Sequence, residues 1–114
     1  MAASTDSIAL MSTATRRVNW RGRSGRAYQL VGESLERFAL EEHELYLIAK
    51  GHLVLWVGSS GDLVADATSR SRFRLALDCA DRVFRVETPA DELARITTVW
   101  DLEGAEPINA RSAA

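Results

Sequence analysis

Cysteine is nearly absent from this chain: Cys79 is the only one in 114 residues. No intramolecular disulfide can form, so the fold has to rest on its core alone. A single thiol between Asp78 and Asp81 suits a reducing compartment, and a cytoplasmic location is expected. Those carboxylates also argue against a nucleophilic role, so a packed core thiol is the expectation for Cys79. Long apolar runs are missing too. None approaches the ~18 residues that a membrane span requires. Proline is confined to Pro89 and Pro107, and no Pro- or Gly-rich linker divides the chain. No basic residue precedes the short apolar patch Ile8 to Met11, so no secretory signal is expected. Excess charge of one sign is also lacking: the net charge is −2, which by itself predicts no polyanionic partner.

What is present fits one soluble globular domain. Hydrophobic residues make up 46% and charged residues 26% of the chain, ordinary proportions for such a domain. At this length a chain buries roughly 60–70% of its unfolded surface, enough to fold without staples. The balanced net charge hides an asymmetry. Residues 1–30 carry Arg16, Arg17, Arg21, Arg23 and Arg26 against Asp6, whereas the rest of the chain holds nine basic and fifteen acidic groups. A basic arm on an acidic body can bind phosphate or an acidic partner, or can simply keep itself solvated.

Along the chain, residues 1–15 lack periodicity and are expected to be disordered, as is the tail 110–114. Order is expected from 16 to 109. Val18 and Trp20, then Tyr28, Leu30 and Gly32, alternate on either side of Arg21-Gly22-Arg23-Ser24-Gly25-Arg26, which predicts a β-hairpin. Ser34 can cap a short helical turn over Leu35 to Leu40. Glu44–Ala49 and Leu53–Val57 are nearly continuous apolar runs around Lys50-Gly51-His52. They predict a second hairpin, covered on both faces. Helices are expected over 62–68 and 71–80, a strand over 82–88, and a last helix entered at Pro89. Asp91 and Glu92 suit its positive end. Leu93, Ile96, Thr97 and Trp100 are spaced as one amphipathic face, and Gly104 ends the helix. Strands followed by helices imply an α+β domain, with a small mixed sheet and helices packed on it.

From Glu44 onward this order resembles the GIY-YIG nuclease superfamily, over residues 44–109. The residues that carry the resemblance are Leu45-Tyr46, Trp56-Val57-Gly58, Asp62-Leu63 (at the family's usual Asn-Leu), and Pro107 with Asn109. The resemblance implies a cleft containing Tyr46, Trp56, Gly58 and Asp66. In that family the tyrosine helps to activate water, an arginine steadies the phosphate and a glutamate holds a divalent metal. Here Tyr46 matches the first role only. Asp66 stands at the arginine position and repels a phosphate. Near the glutamate position lie Thr98 and Val99. Glu44 replaces the leading glycine and Trp56 the second tyrosine. A degenerate, non-catalytic scaffold is therefore expected, with no cofactor and no metal.

Other groupings carry less. Glu41-Glu42-His43-Glu44 lacks a second ligand cluster, and His52 lies across a hairpin, so a polar strand entry is the simpler reading. Arg70, Arg72 and Arg74 read as a solvated helix edge, and Asp101 and Glu103 as surface charge. Gly58-Ser59-Ser60-Gly61 offers N–H groups to an anion but lacks the lysine of a phosphate-binding loop. Of the three tryptophans, Trp20 is the one expected at the surface, because arginines flank it. Arg16, Arg17, Trp20, Arg21, Arg23 and Arg26 are thus the candidate nucleic-acid contacts. The expected function is binding of nucleic acid or an acidic partner through this hairpin. The alternative is a protein–protein or assembly module, with a homo-oligomer open and no membrane partner.

Overall fold

A computed structural model describes residues 17–108, so Arg16, Asn109 and both terminal segments lie outside the described residues. The expected first hairpin is present: β1 (Arg17–Arg21) and β2 (Ala27–Glu33) pair antiparallel around the 22–26 loop. Gly25 supplies the positive φ, +92°, that this turn needs. The second hairpin joins β3 (Leu45–Lys50) to β4 (Leu53–Gly58) through a turn in which Gly51 has φ +57°. The expected helical turn over 35–40 does not form. That stretch makes only isolated turn bonds, from Arg37 N–H to the Ser34 carbonyl and from Phe38 N–H to the Leu35 carbonyl. Its Leu35, Phe38 and Leu40 pack on the sheet instead, so packing overrides a weak local preference.

Beyond β4 come α1 (Ser60–Ala65), α2 (Ala67–Cys79), β5 (Arg82–Val86), α3 (Glu92–Glu103) and the two-residue β6 (Glu106–Pro107). Caps set the helix starts. The Asp66 carboxylate accepts the Thr68 N–H at 2.9 Å, and the Asp91 carboxylate accepts the Ala94 N–H at 2.8 Å. The last helix therefore begins after Asp91, not at Pro89. Pro107 does more than follow a helix: with Glu106 it pairs beside β1.

The domain is α+β, and its described residues form a six-stranded sheet in the order β4-β3-β5-β2-β1-β6. Every pairing is antiparallel, which corrects the expected mixed sheet. The helical crossover from β4 to β5 does make those two strands run the same way. However, β3 lies between them and is antiparallel to both, so no parallel ladder forms.

Both faces of β3 are covered, and the alternation of each strand assigns its side chains. One face sends Trp20, Leu30, Leu45, Leu47, Phe84 and Val86 toward Leu102 of α3. The other sends Tyr46, Ile48, Trp56 and Val83 toward Ala76 and Phe73 of α2. Cys79 is exposed rather than packed. No helix among the described residues is long and apolar enough to cross a membrane.

Candidate functional site

The residues of the implied cleft separate into a surface part and a core part. A cleft of about 450 Å³ opens beside β4, lined among others by Arg23, Trp56, Asp62, Asp66, Ser69 and Arg72. The Trp56 indole N–H donates to the Ser69 hydroxyl at 3.0 Å, fixing the ring against α2. Asp66 reaches the cleft as the cap of α2. Gly58 belongs to the same corner: a side chain there would collide with the Trp56 ring and the Asp62 carboxylate.

Tyr46 is not among the lining residues. It sits opposite Gly58 on the neighbouring strand and is only 1% exposed. Its ring packs edge-on against Phe38 at 5.2 Å, and Trp56 packs edge-on against Phe73 at 4.9 Å. The Tyr46 hydroxyl accepts the Glu41 N–H at 3.0 Å. Burial pushes its pKa up and Glu41, Glu44 and Glu33 add to this, against the bond from the Glu41 N–H. A phenol so placed keeps its proton and is spent on tying the 34–44 segment to the sheet.

The strand–helix corner is likewise committed. The Asp62 carboxylate accepts the Ser59 N–H at 2.8 Å and the Ser59 hydroxyl at 3.2 Å. Arg95 of α3 reaches the same carboxylate at 3.2 Å and also pairs with Glu92 at 3.0 Å. The Glu92 bond raises the Arg95 pKa, against a partial burial that lowers it, and Asp62 adds to the rise. Arg70 donates to the Leu63 carbonyl at 2.8 Å, closing the end of α1. Among the described residues no three His, Cys, Asp or Glu side chains are grouped so as to hold a metal ion.

The candidate basic surface also divides. Trp20 is a correction: it is fully buried, edge-on to Phe84 at 5.7 Å. In β1 the odd positions point outward and the even ones inward, so the arginines beside Trp20 say nothing about its own exposure. Arg17 and Arg21 share the outward face of β1 and are exposed. Arg23 turns the other way. Its Nε donates to the Trp100 carbonyl at 2.8 Å, and its guanidinium lies 5.2 Å above the Trp100 ring. Arg26 lies 4.9 Å above the Tyr28 ring.

Two functional groups escaped the sequence reading. Arg85 joins Arg17 on one sheet face, because both are paired in register with Val31. Two strand spacings put those two Cα atoms roughly 10 Å apart. The available signal was the place of Arg85 between Phe84 and Val86, whose side chains take the opposite face of β5. The second is Asp101, read as surface charge but only 3% exposed. It accepts bonds at 2.7 Å from the Ser24 N–H, the Ser24 hydroxyl and the Tyr28 hydroxyl. These partners lie 73 to 77 residues away in sequence, beyond any local pattern.

Comparison with family models, curated proteins and solved structures gives no match.

Proposed function

We propose that this chain is a non-catalytic binding domain on a degenerate GIY-YIG-like scaffold, and that it contacts nucleic acid through the outward face of β1 and β2. The order of elements from Leu45 to Pro107 supports the scaffold, being the order that the family resemblance implies. The observation that carries the binding role is the grouping of Arg17, Arg21 and Arg85. They stand around Asn19 and Gln29 on the side of the sheet away from α3, and Arg17, Asn19, Arg21 and Gln29 are exposed. Arg85 lies 4.0 Å from Glu33 across a solvated gap, a pair that contributes little. This face has no aromatic ring, so the contacts are to phosphates rather than to stacked bases.

Non-catalysis draws support from Tyr46 and Asp66. The tyrosine is buried with its hydroxyl occupied, and the carboxylate caps a helix where the family carries an arginine.

Anisotropy of labelled single-stranded and duplex oligonucleotides tests the reading. Binding is expected at low salt, weakening steeply as salt rises. The double variant Arg17→Glu/Arg21→Glu is expected to abolish it. Absence of binding at low salt, or binding untouched by the double reversal, refutes the nucleic-acid role. Capture of an acidic protein by the same face would move the reading to its second partner class. The alternative, an assembly module, is favoured by one separate observation, the exposed apolar stripe of α3.

A further inference from the structure

Helix α3 has two faces with apolar residues, and the core uses only one. Thr98, Asp101 and Leu102 face the sheet. Leu93, Ile96 and Trp100 lie on the far side and are 75%, 53% and 53% exposed. Thr97 completes the outer stripe. Its hydroxyl donates to the Leu93 carbonyl at 2.9 Å, which turns the polar group back into the helix and leaves the methyl outside. Single exposed apolar residues are ordinary, but a continuous row of them on one helix marks an interaction surface.

We propose that a second copy of this chain covers the stripe, its α3 packed antiparallel on the first about a two-fold axis passing between Ile96 and Thr97. The register is self-complementary in shape. An axis at that point sets Leu93 against the partner's Trp100 and Ile96 against the partner's Thr97, as an isologous contact requires. It is also complementary in charge. The N-terminal end of the stripe carries Asp91 and Glu92. The C-terminal end carries Arg23, held there by the Trp100 carbonyl and ring. Antiparallel packing brings Arg23 to the partner's Asp91 at both ends, whereas parallel packing sets like against like. Glu103 shares the Arg23 end and meets the partner's Glu92, a charge that Arg95 already holds.

Among the described residues, the two outer strands of the sheet offer no competing route. The β4 edge is broken at Leu55, because Ile48 pairs with Trp56 and Ala49 with Val54. The β6 edge is two residues long and includes Pro107. Both are devices that block strand addition. Four side chains provide less than the ~800 Å² per partner of a standard interface, so the dimer is weak and concentration-dependent. It leaves the outward face of β1 and β2 free on both copies, and it stands independently of the nucleic-acid reading.

Sedimentation velocity across a concentration series tests the proposal. The wild-type chain is expected to shift from monomer to dimer as concentration rises. Ile96→Glu places two carboxylates at the axis and is expected to weaken association about tenfold or more, with unchanged circular dichroism and melting. In a Cys79→Ser background, Thr97→Cys is expected to cross-link to itself on mild oxidation, because the axis brings its two copies together. Leu93→Cys is expected not to cross-link, because it faces the partner's Trp100. A monomer at every concentration overturns the proposal, as does an Ile96→Glu chain that dimerises normally. Cross-linking of Leu93→Cys in place of Thr97→Cys overturns the antiparallel register.

Discussion

The Tyr28 hydroxyl donates to the Asp101 carboxylate at 2.7 Å and so ties the first hairpin to the last helix. The same carboxylate also accepts both donors of Ser24. Gly22 belongs to this clasp, because a Cβ there would run into the Asp101 carboxylate. Asp101→Ala leaves three donors without a partner in a closed setting. The expected loss is about 3 kcal/mol of folding stability, a fall in Tm on the order of 10 °C. Differential scanning calorimetry of the variant checks this, and a shift within error of zero would show that the clasp contributes nothing.

The same carboxylate sets a pH dependence. Burial works to raise the Asp101 pKa, but the Ser24 N–H, the Tyr28 hydroxyl and the Ser24 hydroxyl, aided by Arg26, outweigh it and hold the group below the usual carboxylate value. A depressed folded pKa means stability that is fully present above the unfolded value and is lost as pH falls through the folded one. Urea midpoints are therefore expected to drop on acidification below about pH 4. Asp101→Asn should flatten that part of the profile. An unchanged acid limb in the variant would assign the loss to other carboxylates.

How far the sequence could reveal this molecule depended on whether the deciding contact was local. Gly25 and Gly51 marked two turns, the apolar runs marked β3 and β4, and Gly104 marked the end of α3. Each rests on backbone preferences a few residues long. Trp20 and α3 came out reversed, because periodicity gives the spacing of a face and not its direction. The stripe at Leu93, Ile96 and Trp100 has the right period, yet Asp101 and Thr98 point inward, where Ser24 and Tyr28 supply the hydrogen bonds that a buried carboxylate demands. The candidate cleft was half legible. Trp56, Gly58 and Asp66 meet at one corner, while Tyr46 is drawn into the core by Phe38 and the Glu41 N–H.

Burial separates the three tryptophans experimentally. Trp20 is fully buried, Trp56 is 5% exposed and Trp100 is 53% exposed. Acrylamide should readily quench the Trp100 share of the native fluorescence, and Trp100→Phe should remove that share. Trp20→Ala opens a large cavity against Phe84 and is expected to cost about 3–5 kcal/mol. Trp20→Phe should cost less, because the Trp20 indole N–H is buried with no partner among the described residues and its loss relieves an unsatisfied donor. An accessible Trp20, seen as residual quenching in Trp100→Phe, would contradict this arrangement.

Tyr46→Phe distinguishes a structural hydroxyl from a chemical one. Removing the oxygen deprives the Glu41 N–H of its acceptor, at an expected cost of about 1 kcal/mol. The ring contact with Phe38 stays. Oligonucleotide affinity should not move: Tyr46 shares the sheet face of Arg17 and Arg85, but it is 1% exposed and lies three strands from Arg17. A nicking activity that depends on divalent metal and disappears in this variant would establish catalysis and remove the binding-only reading.

Charge reversal along one hairpin separates the two jobs of its arginines. Arg21 projects from the outward face of β1 with no hydrogen-bond or ion-pair partner among the described residues. Arg21→Glu should therefore leave Tm within about 1–2 °C of the parent. Its effect should appear in binding: weaker affinity for every sequence tried, and a salt-dependence slope smaller by about one for each phosphate no longer neutralised. Arg23 is built into the fold through the Trp100 carbonyl and ring, and its side chain lies where a Cβ on Gly104 would sit. Arg23→Glu should thus lower Tm measurably while changing the salt slope little. Paired melting curves and anisotropy titrations of the two variants decide the matter. If Arg23→Glu proves the more damaging to binding, the nucleic-acid surface lies on the α3 side of the sheet, not on the face that carries Arg17, Arg21 and Arg85.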